Sequence, residues 1–474
     1  MPTGIATIVF ALGIWGLFLL DRDRRARTSP ALWIPVAWMW IAGSRAVSLW
    51  LAAFGWGDAP GPAMVDQYMD GSPVDRNVLS VLLALALAVL IRRRRQVGTI
   101  LRANSAVLVF FLYCAVSVIW SDYPDVAFKR WTKALGDVAM LMVVLTDPDR
   151  SAALKRFLAR TTFLLIPLSV LLIKYYPALG REYNAWSWMP VYGGVTTNKN
   201  TLGMICLLFG LGSVWRLLAA YRDRSGGNRI RQMIAHGAIL AMVVWLFSVA
   251  NSMTSLLCFT LAGGMIVATS FSAVVRKPLL VHLSVIGIIL LCSSVLFFGL
   301  GGDALEAVGR DPTLTGRTAI WGKVLAESGN PLFGTGFESF WLGKRLDKLW
   351  NVLGMHLNQS HNGYLETYLN LGWVGVMLLA FLIVKGYRNV MAALRRDPDT
   401  GRLWLAYFTV AVIYNFTEAT IKMMSPIWIL FLLATIAVPK ISSPKLRLLA
   451  PRVRRSPLAS ELPAPRTYSW EEGA

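Results

Sequence analysis

His361 stands in the polar run Asn358-Gln359-Ser360-His361-Asn362, immediately ahead of a long apolar stretch. If that stretch is a helix, its positive dipole end disfavours protonation of a nearby imidazole, and a neutral imidazole is what a general base requires. Asn362 is read with it as a substrate-binding neighbour. His356 competes for the same role, whereas His236 and His282 fall in or beside apolar segments and read as structural. Upstream, Thr315 to Ser328 has the pattern of a short amphipathic helix stopped by Gly329-Asn330-Pro331. Arg317, Trp321, Val324 and Ser328 recur at spacings of three or four, flanked by Ile320 and Leu325, so Arg317 and Trp321 face the body of the protein. A planar guanidinium there either reaches a lipid phosphate or holds a phosphate-bearing substrate through two parallel hydrogen bonds. A third candidate is Gly193-Gly194-Val195-Thr196-Thr197-Asn198-Lys199-Asn200, which leads directly into an apolar run. Lys199, Asn200 and free amides at a helix start make an anion site, with an ordinary N-cap and a snorkelling lysine as the alternative. Arg181, in Gly180-Arg181-Glu182-Tyr183, is a further cation that reads equally as an interfacial anchor.

These residues hang on an apolar frame. Of the residues, 55% are hydrophobic and 15% charged, and the mean hydropathy is +0.53, well outside the range of soluble domains. Runs long enough to cross a bilayer recur at 4–20, 31–54, 78–91, 104–120, 134–146, 157–176, 201–220, 232–249, 254–272, 279–299, 363–385, 403–418 and 426–439. The expected fold is an all-α polytopic integral membrane protein with twelve or thirteen transmembrane helices. Three short candidates lower the count to eleven or twelve. The polar interruption from Gly301 to His361, before the last three spans, is too long for an idle connection. One domain is expected over 1–440, including this 301–361 loop. A basic, Pro-rich tail, 441–474, follows without apolar periodicity and reads as disordered or lying on anionic headgroups.

The net charge of +21 could suggest nucleic acid, but its distribution excludes that class. Roughly two-thirds of the Lys and Arg residues fall in alternate loops, including Arg92-Arg93-Arg94-Arg95 and Lys385 to Arg402, as cytoplasmic loops require. That pattern places the N-terminus outside and the C-terminus in the cytoplasm. Cys114, Cys206, Cys258 and Cys292 all lie in apolar runs without metal or disulfide spacing. The first run lacks a basic leader and a small-residue cleavage site, so it is expected to remain as a helix. Arg45 and Asp137 lie within spans, where charge is costly; they pair with each other or with other polar groups. Glu418, at an external helix end, has Lys422 four residues on and reads as an interfacial ion pair or as a wall of a site.

Taken in order, Trp120-Ser-Asp-Tyr-Pro124, Thr197-Asn198-Lys199-Asn200, Gly316-Arg317 with Trp321, Pro331 to Gly336, and Ser360-His361-Asn362 followed by Leu371-Gly372 form an ordered set. This set resembles the O-antigen ligase and polymerase superfamily, and its exopolysaccharide-polymerisation branch in particular, over residues 100 to 440. The resemblance implies a GT-C-like membrane glycosyltransferase in the bacterial inner membrane, with a periplasmic active site and neither metal nor cofactor. It implies a donor glycan on undecaprenyl pyrophosphate, a glycan or lipid-linked acceptor, membrane lipid, and polysaccharide export proteins as partners. In that light Arg317, Lys199 and Arg181 hold the pyrophosphate, and His361 activates the acceptor hydroxyl. Polymerisation of repeat units, ligation to a lipid A core, and, from a different class, transport or flipping of a polysaccharide stay open. Internal repeats, which many transporters show, are not evident.

Overall fold

A backbone in lipid must satisfy its own amides, and helix is how a single segment does so. All thirteen apolar runs contain helix in the computed structural model, which describes residues 1–23, 26–56, 69, 71–183, 188–223, 227–298 and 315–439. The 441–474 tail, Trp186, Gly301 to Leu314 and most of the acidic loop between Phe54 and Asp75 lie outside the described residues.

The chain is a helical, multi-pass membrane protein. Six described helices are long and apolar enough to cross a bilayer: Thr3–Leu20, Pro73–Arg92, Arg150–Tyr175, Lys199–Arg222, Arg229–Ala250 and Gly363–Arg396. Two bent pairs bring the number to eight, Pro30–Ala42 with Val47–Ala53 at 68° and Arg94–Ala103 with Ser105–Trp120 at 92°. The other runs are helical but shorter or more charged. Met253–Ala268, Pro278–Ser294 and Pro426–Thr435 are short apolar helices. Pro124–Leu145 is 22 residues long, yet Asp125, Lys129, Arg130, Lys133 and Asp137 interrupt its apolar face.

Lys199–Arg222 is central: 78% of its apolar window is buried, against 11% for the peripheral Thr3–Leu20. Small residues let its neighbours approach closely, as is usual between helices in lipid. A methyl group on Gly203 would meet Ser252 Cβ at 2.6 Å, and one on Gly210 would meet Phe259 at 2.9 Å. The four cysteines are free and buried in this packing. One departure from all-helical structure occurs among the described residues beyond isolated bridges, a short antiparallel hairpin of Arg181–Tyr183 with Pro190–Tyr192.

The described part of the polar interruption is folded. Thr315–Ala326 and Gly343–Leu353 pack through Val324, Phe340, Trp341, Leu346, Leu349 and Trp350, a core separate from that of the membrane body. Leu369 from the following helix closes this core. The amphipathic pattern holds at Arg317, Trp321, Val324 and Ser328, which are buried or half-buried, while Leu325 points outward, 43% exposed.

The Gly363–Arg396 helix is interrupted at Gly372, where φ is 63° and ψ −167°. A break inside a membrane helix frees backbone groups that need new partners. Pro331 to Gly336 provides them. Trp373 N donates to Pro331 O at 2.9 Å and Val374 N to Leu332 O at 3.1 Å, while Thr335 N and Gly336 N donate to Leu369 O and Asn370 O at 3.1 and 2.8 Å. Tyr113 Oη donates to Leu371 O at 2.9 Å. The contact needs glycine on both sides: a Cβ on Gly334 would lie 2.4 Å from Asn370 C, and one on Gly372 would lie 2.2 Å from Leu332 C. The Trp120 to Pro124 motif braces the same junction, with Trp120 Nε1 donating to Phe333 O at 3.2 Å and Ser121 Oγ bonded to Ser339 Oγ at 2.7 Å.

Candidate active site around Glu418

The Pro398–Tyr414 helix ends in a non-helical segment that reaches Pro426. Asn415 shapes it. Its side-chain oxygen accepts from Thr420 N at 2.9 Å, Thr420 Oγ1 at 3.0 Å and Ile421 N at 3.2 Å, and its amide donates to Ala411 O at 2.7 Å. Gly363 N donates to Asn415 O at 2.9 Å, and the absence of a Cβ at Gly363 lets the two chains touch. Farther along, Met424 N donates to Asp137 Oδ2 at 2.9 Å, while Asp137 Oδ1 accepts from Trp38 Nε1 at 2.8 Å. The segment is thus pinned at both ends, and Glu418 lies between the pins.

Glu418 gathers three remote segments. Arg317 donates from NH1 to Thr417 O at 2.6 Å and places NH2 3.5 Å from Glu418 Oε1. Asn200 Nδ2 donates to the same oxygen at 3.3 Å. His361 Nδ1 lies 3.3 Å from the other, Oε2. Side-chain exposure is 14% for Glu418 but 28% for Arg317 and 23% for His361, so the carboxylate is the inner member and the other two face outward. An ionised carboxylate only accepts, so Nδ1 is the donor in this pair. No partner occupies Nε2 among the described residues.

Each side chain is held locally. Asn362 caps the helix that follows, its Oδ1 accepting from Tyr364 N and Leu365 N at 3.0 Å each. His361 itself adopts φ 55°, a left-handed conformation unusual for a residue with a side chain and characteristic of functional sites. Trp321 Nε1 donates to Ser360 O at 2.8 Å, tying the Arg317 helix to the His361 loop. Lys199 opens its helix behind the Asn198 cap, which accepts from Thr201 N at 2.9 Å. It is exposed, with no partner among the described residues. Arg45 donates to Thr196 O at 3.2 Å and Gly194 O at 3.4 Å, and also to Leu179 O, and so fixes the loop entering Lys199.

Three of the seven sequence candidates therefore meet at Glu418, namely His361, Arg317 and Asn200, while Trp321 and Asn362 hold the His361 loop and its helix start. Lys199 adjoins Asn200. Arg181 is engaged elsewhere, with Nε donating to Ile173 O at 2.8 Å and its guanidinium 5.7 Å from the Tyr192 ring. That bond ties the hairpin to the Arg150–Tyr175 helix, and the phosphate-ligand reading of Arg181 is carried as a proposal. His356 lies 4.4 Å from the Trp350 ring, ring centre to ring centre, outside the cluster. His236 joins Asp21 and Arg216 in a buried structural set. Arg45 and Asp137 do not pair with each other; each holds backbone of one half of the site.

The residue that sequence reasoning undervalued is Glu418. Its spacing to Lys422 suggested a helical ion pair, but the segment is not helical and Lys422 Nζ turns to Gln359 Oε1 at 3.3 Å. The usable signal was a carboxylate set among Asn415, Thr417 and Thr420 in an apolar region.

This arrangement can orient an imidazole and neutralise an anion within one cluster. The O-antigen ligase family model matches residues 237–380, which include Arg317 and His361. The chain is 24% identical over 314 residues to the exopolysaccharide production protein ExoQ of Rhizobium meliloti (strain 1021), covering 62% of this chain and 67% of that protein. Together these matches support an O-antigen ligase/polymerase-like family and a membrane enzyme of polysaccharide biosynthesis.

Proposed function

We propose that this chain polymerises undecaprenyl-pyrophosphate-linked glycan repeat units at the periplasmic face of the inner membrane, with its N-terminus periplasmic and its C-terminus cytoplasmic. The observation that carries the reading is the convergence of His361, Arg317 and Asn200 on the one carboxylate of Glu418. In this reading His361 Nε2 removes the proton of an acceptor hydroxyl as its oxygen attacks the anomeric carbon of the donor. The bond from that carbon to the phosphate oxygen breaks, and the pyrophosphate leaves with the electron pair. Arg317, with Lys199 beside Asn200, meets the charge that develops on it. Glu418 holds the imidazole tautomer and balances the guanidinium. The reading calls on no metal or cofactor.

Similarity to an exopolysaccharide production protein favours polymerisation, while the O-antigen ligase match favours transfer of finished chains to a lipid A core. The glycan profile of a deletion strain separates them. Loss of free exopolysaccharide, or single repeat units on lipid A, marks a polymerase. Long carrier-bound chains beside bare core mark a ligase. For the chemistry itself, His361→Ala should insert normally and accumulate lipid-linked units on the outer leaflet; unchanged polymer from stable variant protein would overturn the assignment.

A further inference from the structure

Beside the Glu418 cluster lies a cavity of about 260 Å³ that the reaction as described does not use. It is bounded by the membrane helices at Phe110, Phe111 and Trp428 and by the extramembrane fold at Glu338 and Trp341. Gln359 and Ala419 also line it. These are two residues before His361 and one after Glu418, so the cavity reaches the two loops that carry those side chains. Thr417 O and Glu418 Oε1 face the cations, whereas Ala419 to Met423 contribute the cavity wall. Glu418 thus divides a cationic side from a cavity side.

Glu338 is the unexplained group here. It is half-buried and held at φ 53°. Its backbone carbonyl accepts from Arg130, but its carboxylate takes no hydrogen bond or ion pair within 4 Å among the described residues. Burial pushes this carboxyl above its ordinary range, against the pull of Arg130, Lys422 and Lys133. A strained backbone and an unsatisfied carboxylate together mark a group kept for a ligand. Other polar groups on the wall are committed: Asn370 Oδ1 accepts from Ser339 N and Phe340 N, and Glu366 accepts from Trp341 Nε1 and Ser360 N.

We propose that this cavity is a saccharide subsite that seats the acceptor sugar, with Glu338 accepting from its hydroxyls. The proposal rests on the glycan-transfer reading and assigns the acceptor a place within it. The size suits one sugar ring with its substituents, since about 150 Å³ already admits a bare six-membered ring. The chemistry suits it too. Trp341 and Trp428 line it with aromatic rings, and Glu338 offers an acceptor to hydroxyls, beside the bonded pair of Lys422 and Gln359. A prenyl or acyl tail would leave Glu338, Arg130 and Lys422 desolvated against hydrocarbon.

The test uses the full chain in lipid nanodiscs without glycoside detergent. The probe is the repeat-unit oligosaccharide released by hydrolysis from the host polysaccharide, free of lipid and phosphate, with binding followed by saturation-transfer NMR. Glu338→Gln, nearly isosteric, should weaken binding roughly tenfold or more, as loss of a charged hydrogen-bond acceptor does. Ala134→Leu, which fills the cavity from the Pro124–Leu145 helix, should abolish it while a thermal melt confirms folding. His361→Ala should bind the saccharide as the native chain does while forming no polymer. Equal binding by native, Glu338→Gln and Ala134→Leu proteins overturns the subsite, as does displacement from the cavity by a prenyl phosphate alone. Failure of the glycan-transfer reading registers separately, as absence of chain growth when the native protein receives lipid-linked units. Saccharide binding that depends on Glu338 would then keep the cavity as a sugar site without the acceptor role.

Discussion

The break at Gly372 and the non-helical stretch between Asn415 and Pro426 differ in what they leave over. At Gly372 the carbonyls of Leu369, Asn370 and Leu371 and the amides of Trp373 and Val374 all find partners in the Pro331 to Gly336 loop or in Tyr113. Two glycines press backbone on backbone, and the side chains left exposed there, Leu332, Phe333 and Trp373, are apolar. Between Asn415 and Pro426 the backbone is equally well supported, by Asn415 and Asp137, yet Glu418, His361 and Arg317 retain exposure and spare hydrogen-bonding capacity. A saturated break is a joint, and a break with capacity left over is a place for chemistry. Exposure and partner lists separate the two where motif strength does not.

That contrast can be broken by substitution. His361→Ala or Arg317→Ala should cost roughly a hundred- to ten-thousand-fold in polymer formation, measured with lipid-linked units, at unchanged yield of folded protein. Gly372→Ala should act in the opposite way. A side chain at φ 63° costs about 1–2 kcal/mol even before its contact with Leu332, so thermal stability should fall while the surviving protein keeps its specific rate. Selective loss of rate with unaltered melting would dissolve the distinction between joint and reaction centre. Glu418→Gln should reduce the rate roughly ten- to a hundredfold by removing a charged acceptor, with partial recovery in Glu418→Asp. Lys199→Ala should reduce it roughly tenfold, its effect resting on one exposed cation. Arg181→Ala should change it by less than about twofold, because that guanidinium serves the hairpin; a larger rate loss in folded protein would return Arg181 to the site.

The sequence made one half of this legible. Apolar periodicity located the helices because lipid leaves the backbone few options. His361 stood out as one of four histidines, Arg317 because helical spacing turns a guanidinium inward, and Asn200 because it sits beside Lys199 at a helix start. The amphipathic spacing around Trp321 even gave the direction in which Arg317 points. What resisted reading was tertiary. Glu418 is joined to residues 57, 101 and 218 positions away, and no local pattern encodes such pairings. Arg45 and Asp137 were visible as costly charges, but Arg45 bonds backbone carbonyls and Asp137 a backbone amide and Trp38, none of which local sequence marks out. Lys422 misled because spacing carries contact information only inside a helix, and that stretch is a turn. The size of the polar interruption was plain, whereas its private core of Val324, Phe340, Trp341 and Trp350 required the packing itself.

The order of segments along the chain gives the pins of the Glu418 loop a temporal meaning. Lys199, Arg317 and His361 emerge during synthesis well before Glu418, and the loop is closed only when Met424 N reaches Asp137 and the helix that begins at Pro426 enters the bundle. A nascent chain halted before that helix would carry the imidazole, both cations and Glu418, but on a loop that still lacks its second anchor. Reactive geometry is therefore among the last things the ribosome completes.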